Sequence, residues 1–179
     1  MEEKVSVWKA NLTNGVILGL AGVVYTIVMY FLDLTFNQVQ QYVYIVIQIA
    51  LLYFLLKSYR DNSMHGQITY GQSVGAGVVM SVYSAIIGAI FFYILYTVID
   101  SGLTEKQLAF LEEKMLEKGA PQEAIDAGMA IQRKIMKPEI MAPISILGGM
   151  FWGTLLSLIT SIFIKREGNP LIDTPANQQ

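Results

Sequence analysis

Gln48 sits in the middle of an apolar stretch, and Asn11, Thr13 and Asn14 open another, so these are the side chains best placed for chemistry inside hydrocarbon-like sequence. An amide at such a depth can bond a neighbouring helix, a contact worth about 0.6 to 2 kcal/mol, or help to hold a transported ion. The interhelical bond is the expectation for Gln48. His65 follows Asp61 and Asn62 and is the single histidine; it can titrate near neutral pH, yet it reads as an exposed loop residue. With one histidine in that loop no Ser/His/Asp set is available, and neither HExxH nor a phosphate-binding glycine loop occurs. Cysteine is absent, which removes thiol catalysis, disulfides and thiolate zinc sites together. Asp33 and Asp100 border apolar stretches without entering them. These residue types point away from an enzyme and call for no cofactor and no metal.

The most regular pattern is made of small residues. Ser145, Gly149, Gly153, Ser157 and Ser161 recur every fourth position, which on a helix traces a shallow stripe. Lipid solvates leucine as well as another helix does, so helices associate in a membrane through small residues that let backbones approach. Shorter versions are Gly15 and Gly19, and Gly77, Ser81 and Ala85 with Ser84 and Gly88 beside them. All are read as helix-packing positions. The pattern leaves open whether the covering helix belongs to the same protomer, a second copy or another membrane protein.

These residues need long helices to position them. Ala10–Leu32, Gln38–Leu56, Gly66–Ile99 and Ile140–Ile164 carry no charged side chain. Each offers at least about 18 positions, enough for a helix to cross a hydrocarbon core about 30 Å thick. Composition agrees, because 54% hydrophobic and 15% charged residues over 179 positions exceed what a soluble core of this size can bury. The expected fold is an all-α polytopic membrane protein, a bundle of four transmembrane helices spanning about 12–32, 39–57, 73–99 and 140–164. The first span follows Lys4 and Lys9 as a signal peptide would, but its apolar run is longer than the usual 7 to 15 residues and ends in Tyr30-Phe31-Leu32-Asp33 without small residues for cleavage. It reads as retained. Trp8, Tyr30, Phe31, Tyr42, Tyr44, Tyr53, Tyr59 and Tyr70 lie near span ends, where ring and polar tip suit the headgroup layer.

Lys4, Lys9, Lys57, Arg60, Lys165 and Arg166 fall on one side, in short loops and tails. The opposite side has Lys106, Lys114, Lys118, Arg133, Lys134 and Lys137, mostly within a longer segment that also holds many acids. The weight given to short loops places both termini in the cytoplasm. That longer segment, 103–137, reads as an extramembrane helical hairpin. Thr104 and Gln107 have capping-box spacing; Leu108, Leu111 and Met115 form an apolar side; Gly119 offers a stop. Pro121 fits the start of a second helix lined by Ile125, Met129, Gln132 and Met136, and Pro138 ends it. Pro143 is expected in the first turn of the last span. Residues 167–179 read as a flexible tail. A net charge of -2 without a basic tract gives no reason to expect nucleic acid.

Gly66-Gln67-Ile68-Thr69-Tyr70-Gly71-Gln72-Ser73 opening the third span, Tyr96-Thr97-Val98-Ile99-Asp100 leaving it, the acidic helical connection and a small-residue last span ending Lys165-Arg166 resemble the domain of unknown function 4199 family. The likeness runs through nearly the whole chain and departs from the family pattern at Ser101, where proline is frequent. The resemblance implies four transmembrane helices in a bacterial inner membrane and brings no activity, cofactor or catalytic residue. The function expected is a non-enzymatic interaction or assembly module, its partners being the lipid bilayer and a second copy or another membrane protein. A small transporter or channel subunit is the alternative.

Overall fold

The computed structural model describes residues 6–166, and the tail 167–179 lies outside the described residues. The helices are α1 (Val7–Phe31), α2 (Gln38–Ser63), α3 (Tyr70–Ile94), α4 (Leu103–Glu117), α5 (Gln122–Ile135) and α6 (Pro138–Ile164). α3 runs on into a π-helical turn, Leu95–Ile99, closed by the Asp100 amide donating to the Leu95 carbonyl at 2.9 Å. Among the described residues the chain is all-α, and α1, α2, α3 with its π turn, and α6 are each long and apolar enough to cross a membrane.

Local chemistry explains the helix boundaries. The Ser6 hydroxyl accepts from the Trp8 amide and the Asn37 side chain from the Val39 amide, each serving an orphan donor of a first turn. α3 starts with a capping box: the Gln72 amide donates to the Thr69 hydroxyl while the Thr69 amide donates back to Gln72. The box expected at Thr104 does not form. The cap falls two residues earlier, at Gly102, and Gln107 instead accepts from the Tyr96 hydroxyl at 3.1 Å. Asp100 causes this shift, because its carboxylate accepts from the Gly102 amide at 3.0 Å and sets the turn before Thr104 is reached. Pro121 is the cap residue of α5, and Pro138 is the first residue of α6. Pro143 therefore lies inside α6, past its first turn, where it cannot donate to the Glu139 carbonyl.

We call the end holding Ser6, the α2–α3 turn and Ile164 the base, and the end holding Asp33, Asp100, α4 and α5 the crown. α1 and α3 rise towards the crown; α2 and α6 descend. α3 packs along most of its length against both α1 and α6. Its seam with α6 is antiparallel and keeps register in steps of four. The Ser161 hydroxyl donates to that of Ser73 at 2.8 Å, Gly77 meets Ser157, Ser81 meets Gly153, and Ala85 meets Gly149. A Cβ on Gly149 would come within 2.8 Å of that of Ala85, and one on Gly153 would overlap the Ser81 side chain. Ser81 and Ser157 turn their hydroxyls onto their own helices, to Gly77 and Gly153 carbonyls, so the seam buries no free hydroxyl from these two. Against α1 the arrangement is one-sided: Gly15 takes Tyr83, and Gly19 takes Ile87.

α2 is attached differently at its two ends. At the base Leu52, Leu56 and Tyr59 pack with Leu18, Ile68, Ala76, Met80 and Ile164 in a cluster from which Leu56, Ala76, Met80 and Ile164 expose nothing. Backbone bonds between Ile68 and Arg166, and an Arg60 guanidinium donating to the Ile164 carbonyl at 3.2 Å, tie the end of α6 into this base. At the crown Leu95, Tyr96 and Leu103 form a second cluster with Tyr30 and Phe36, and α4 joins α5 through Leu108, Ile125 and Met129.

Candidate functional site

Towards the crown α2 and α6 diverge, and a cavity of about 580 Å³ opens between them. Its floor is α3, through Ser81, Ser84, Ala85 and Gly88. One wall is α1 and α2, with Gly22, Tyr25, Tyr44 and Gln48; the other is α6, with Ser145, Gly149, Trp152 and Gly153. Ile45 and Trp152 line it while remaining 42% and 62% exposed, which puts the mouth on the lateral surface between α2 and α6. The base cluster closes its inner end.

The wall is held by aromatic and amide groups rather than by tight helix contact. The Tyr25 hydroxyl donates to the Gln40 carbonyl at 2.7 Å, and the Tyr25 and Tyr44 rings lie 5.2 Å apart. Gly22 leaves room for them, since a Cβ there would sit 2.9 Å from the Tyr44 hydroxyl. The Gln48 amide donates to that hydroxyl at 2.7 Å. The bond is therefore made within α2, one turn apart, and the expected interhelical bond is absent, because the α1 residue facing this pair is a glycine and α3 and α6 lie across the cavity. Among the described residues the other end of the Gln48 amide has no partner, and neither does the Ser84 hydroxyl.

The packing residues divide between two environments. Gly15, Gly77, Ser157 and Ser161 meet a neighbouring helix of the same chain, and Gly19 does so at the edge of the cavity. Ser81, Gly149 and Gly153 meet the facing helix and also border the cavity, while Ser145 lines it and returns its hydroxyl to the Ala142 carbonyl. Tyr44, read from sequence as an interfacial anchor, is a cavity residue, because α2 starts at Gln38 and places Tyr44 well inside the helix. Trp152, Tyr96, Phe91 and Phe92 also reach the cavity. The signal that could have marked this site is the pair Tyr44 and Gln48, four residues apart on one helical face, opposite glycine-rich segments. His65 is exposed in the α2–α3 turn, as expected, with a positive φ of 53°.

Above the cavity Asp100 binds the crown together. Its carboxylate takes the Lys106 ammonium at 2.9 Å, the Gly102 amide and, at 3.4 Å, the Tyr30 hydroxyl of α1. The Lys106 bond is the main cause that holds this carboxyl below its usual value of 3.8, and Lys106 is raised in turn above 10.5. Asp33 lies close enough to add to the field on Lys106.

Four membrane-length helices around a lateral cavity whose polar groups are amides and hydroxyls define an integral membrane protein of the multi-span class. Residues 13–166 match the family described as Protein of unknown function (DUF4199), and the chain belongs to that family. No curated protein and no solved structure matches it.

Proposed function

We propose that this chain is a non-enzymatic interaction module of a bacterial inner membrane, and that its interaction site is the lateral cavity. In this reading α1, α2, α3 and α6 form a transmembrane four-helix bundle with both termini cytoplasmic. α4 and α5 form a hairpin outside the membrane. Lys9, Lys57, Arg60, Lys165 and Arg166 at or near the base support that orientation. The observation that carries the proposal is the closed inner end of the cavity: Leu52, Leu56, Met80 and Ile164 fill the base, so the cavity admits a guest from the side without continuing through the protomer. Its volume falls within the range of about 300 to 1,000 Å³ typical of small-molecule sites. Its polar lining of amides and hydroxyls suits holding a guest better than proton transfer, for which a group titrating near neutral pH would be suited.

The test is mild-detergent extraction of the full chain from its native membrane, followed by mass measurement of the intact complex. A defined non-covalent adduct or hetero-complex is the expected result. Recovery of the bare chain alone would contradict the proposal. A second reading, a small transporter, is favoured by Gln48 and Ser84 lining the cavity; solute flux through liposomes holding the purified chain would establish it at the expense of the first.

A further inference from the structure

The cavity's dimensions and lining together narrow the guest. The cavity, about 580 Å³, runs along α2 from Gln40 to Leu52, about 18 Å at 1.5 Å per residue, a slot that a flexible chain can follow. Leu18, Val23, Leu52, Ala85, Ala89 and Leu156 give such a chain an apolar bed.

The polar groups are placed to read a head. The Tyr44–Gln48 pair leaves one end of an amide without a partner, and Ser84 lines the same cavity with a hydroxyl likewise unpaired among the described residues. No residue lining the cavity is Asp, Glu, Lys, Arg or His. A phosphate or carboxylate carried there would lose its hydration without gaining a counter-charge, a cost of several kcal/mol. An uncharged group that both donates and accepts loses little and is repaid by the free amide end and the Ser84 hydroxyl.

We infer that the cavity binds a lipid-soluble neutral amphiphile, one alkyl or isoprenoid chain bearing an uncharged hydrogen-bonding group that reaches Gln48, Tyr44 and Ser84. This rests on the proposed guest-binding role and adds the chemistry of the guest. The chain's two tryptophans supply the readout: Trp152 lines the cavity, and Trp8 packs edge-on to Tyr83 outside its lining.

The experiment titrates the full chain carrying Trp8→Phe, in detergent micelles, with three chain-brominated probes: a dibrominated octadecanol, the corresponding carboxylate at pH 8, and the corresponding alkane. Bromine quenches tryptophan on contact. The alcohol should quench Trp152 saturably, with at least about tenfold tighter binding than either other probe, equivalent to about 1.4 kcal/mol. Gln48→Leu should remove most of that preference. Gly88→Phe should abolish saturation, because a Cβ at Gly88 meets nothing within 4 Å and the ring enters open cavity. Saturable quenching of equal strength by alcohol and alkane would overturn the head-group inference and leave guest binding standing. Tighter binding of the carboxylate would overturn it in the same way. Quenching that rises linearly for all three probes would overturn both.

Discussion

The seam between α3 and α6 and the cavity beside it are built from the same residue types on the same two helices, yet one is closed and the other open. Ser81 and Ala85 belong to both: they meet Gly153 and Gly149 on α6, and they also border the cavity next to Ser84 and Gly88. The difference lies in what stands opposite. Along the seam each small residue finds another small residue in a register of four, and backbones close up until no Cβ could be added. A few ångströms around α3 the opposite surface is α2, which Leu52, Leu56 and Tyr59 hold tightly at the base while Tyr25, through the Gln40 carbonyl and the Tyr44 ring, holds it to α1 at the crown. Small residues permit close approach; their partner decides whether it happens.

The comparison can be broken most severely at the seam. Gly153→Ile forces a branched side chain into Ser81, and overpacking of this kind costs about 3 kcal/mol or more when backbone must move. The variant should lose most of its thermal stability in detergent, and unchanged stability would remove the seam from the account. Leu56→Ala tests the base that closes the cavity. Leu56 exposes nothing, so its truncation should cost about 2 to 4 kcal/mol in chemical unfolding. A smaller effect is expected for the Ser73–Ser161 bond: a double-mutant cycle with alanine at each should give a coupling of about 0.6 to 1.7 kcal/mol, and a coupling near zero would mean that the seam is held by packing alone.

At the crown the test is acidity. Asp100 has its carboxyl held down by Lys106, so the stabilisation it gives is present above the ordinary value of 3.8 and is lost as pH falls through the lower folded value. Protection of the Leu103–Gln107 amides, taken as exchange relative to an unstructured peptide at the same pH, should therefore hold from pH 7 to pH 4 and fall at lower pH. Asp100→Asn should be less protected than the native chain at pH 7 and converge with it at the acid end, where Asp100 is itself neutral. Gly88→Phe should change thermal stability least, within about 0.5 kcal/mol, because a Cβ there meets nothing within 4 Å, the ring has the cavity to enter and helix propensity improves.

The four membrane-length helices were readable because absence of charge over long runs is a one-dimensional signal. The seam was half readable: Gly77, Ser81, Gly149, Gly153, Ser157 and Ser161 announced close approach, while their pairing depends on how far α3 rises against α6. The cavity was not readable, since it exists where α2 and α6 part, and no residue on either helix encodes a distance to the other. Gln48 illustrates the gap. Its amide called for a bond, and the nearest group proved to be Tyr44 on its own helix because Gly22 presents nothing on α1. Thr69-Tyr70-Gly71-Gln72 is different, for its capping-box spacing was visible in the sequence and matters as much as the box expected at Thr104, which Asp100 displaces.

The central claim is that a tightly seamed scaffold keeps one cavity open for a guest. The most direct measurement compares thermal unfolding of the full chain and of Gly88→Phe in detergent, each with and without lipid extracted from the native membrane. A guest that binds only the folded state stabilises it by about 2.7 kcal/mol at a hundredfold excess over its dissociation constant. The account predicts equal starting stability for the two proteins and a saturable rise on adding extract for the native sequence alone; an equal rise in both, or none in either, would contradict it.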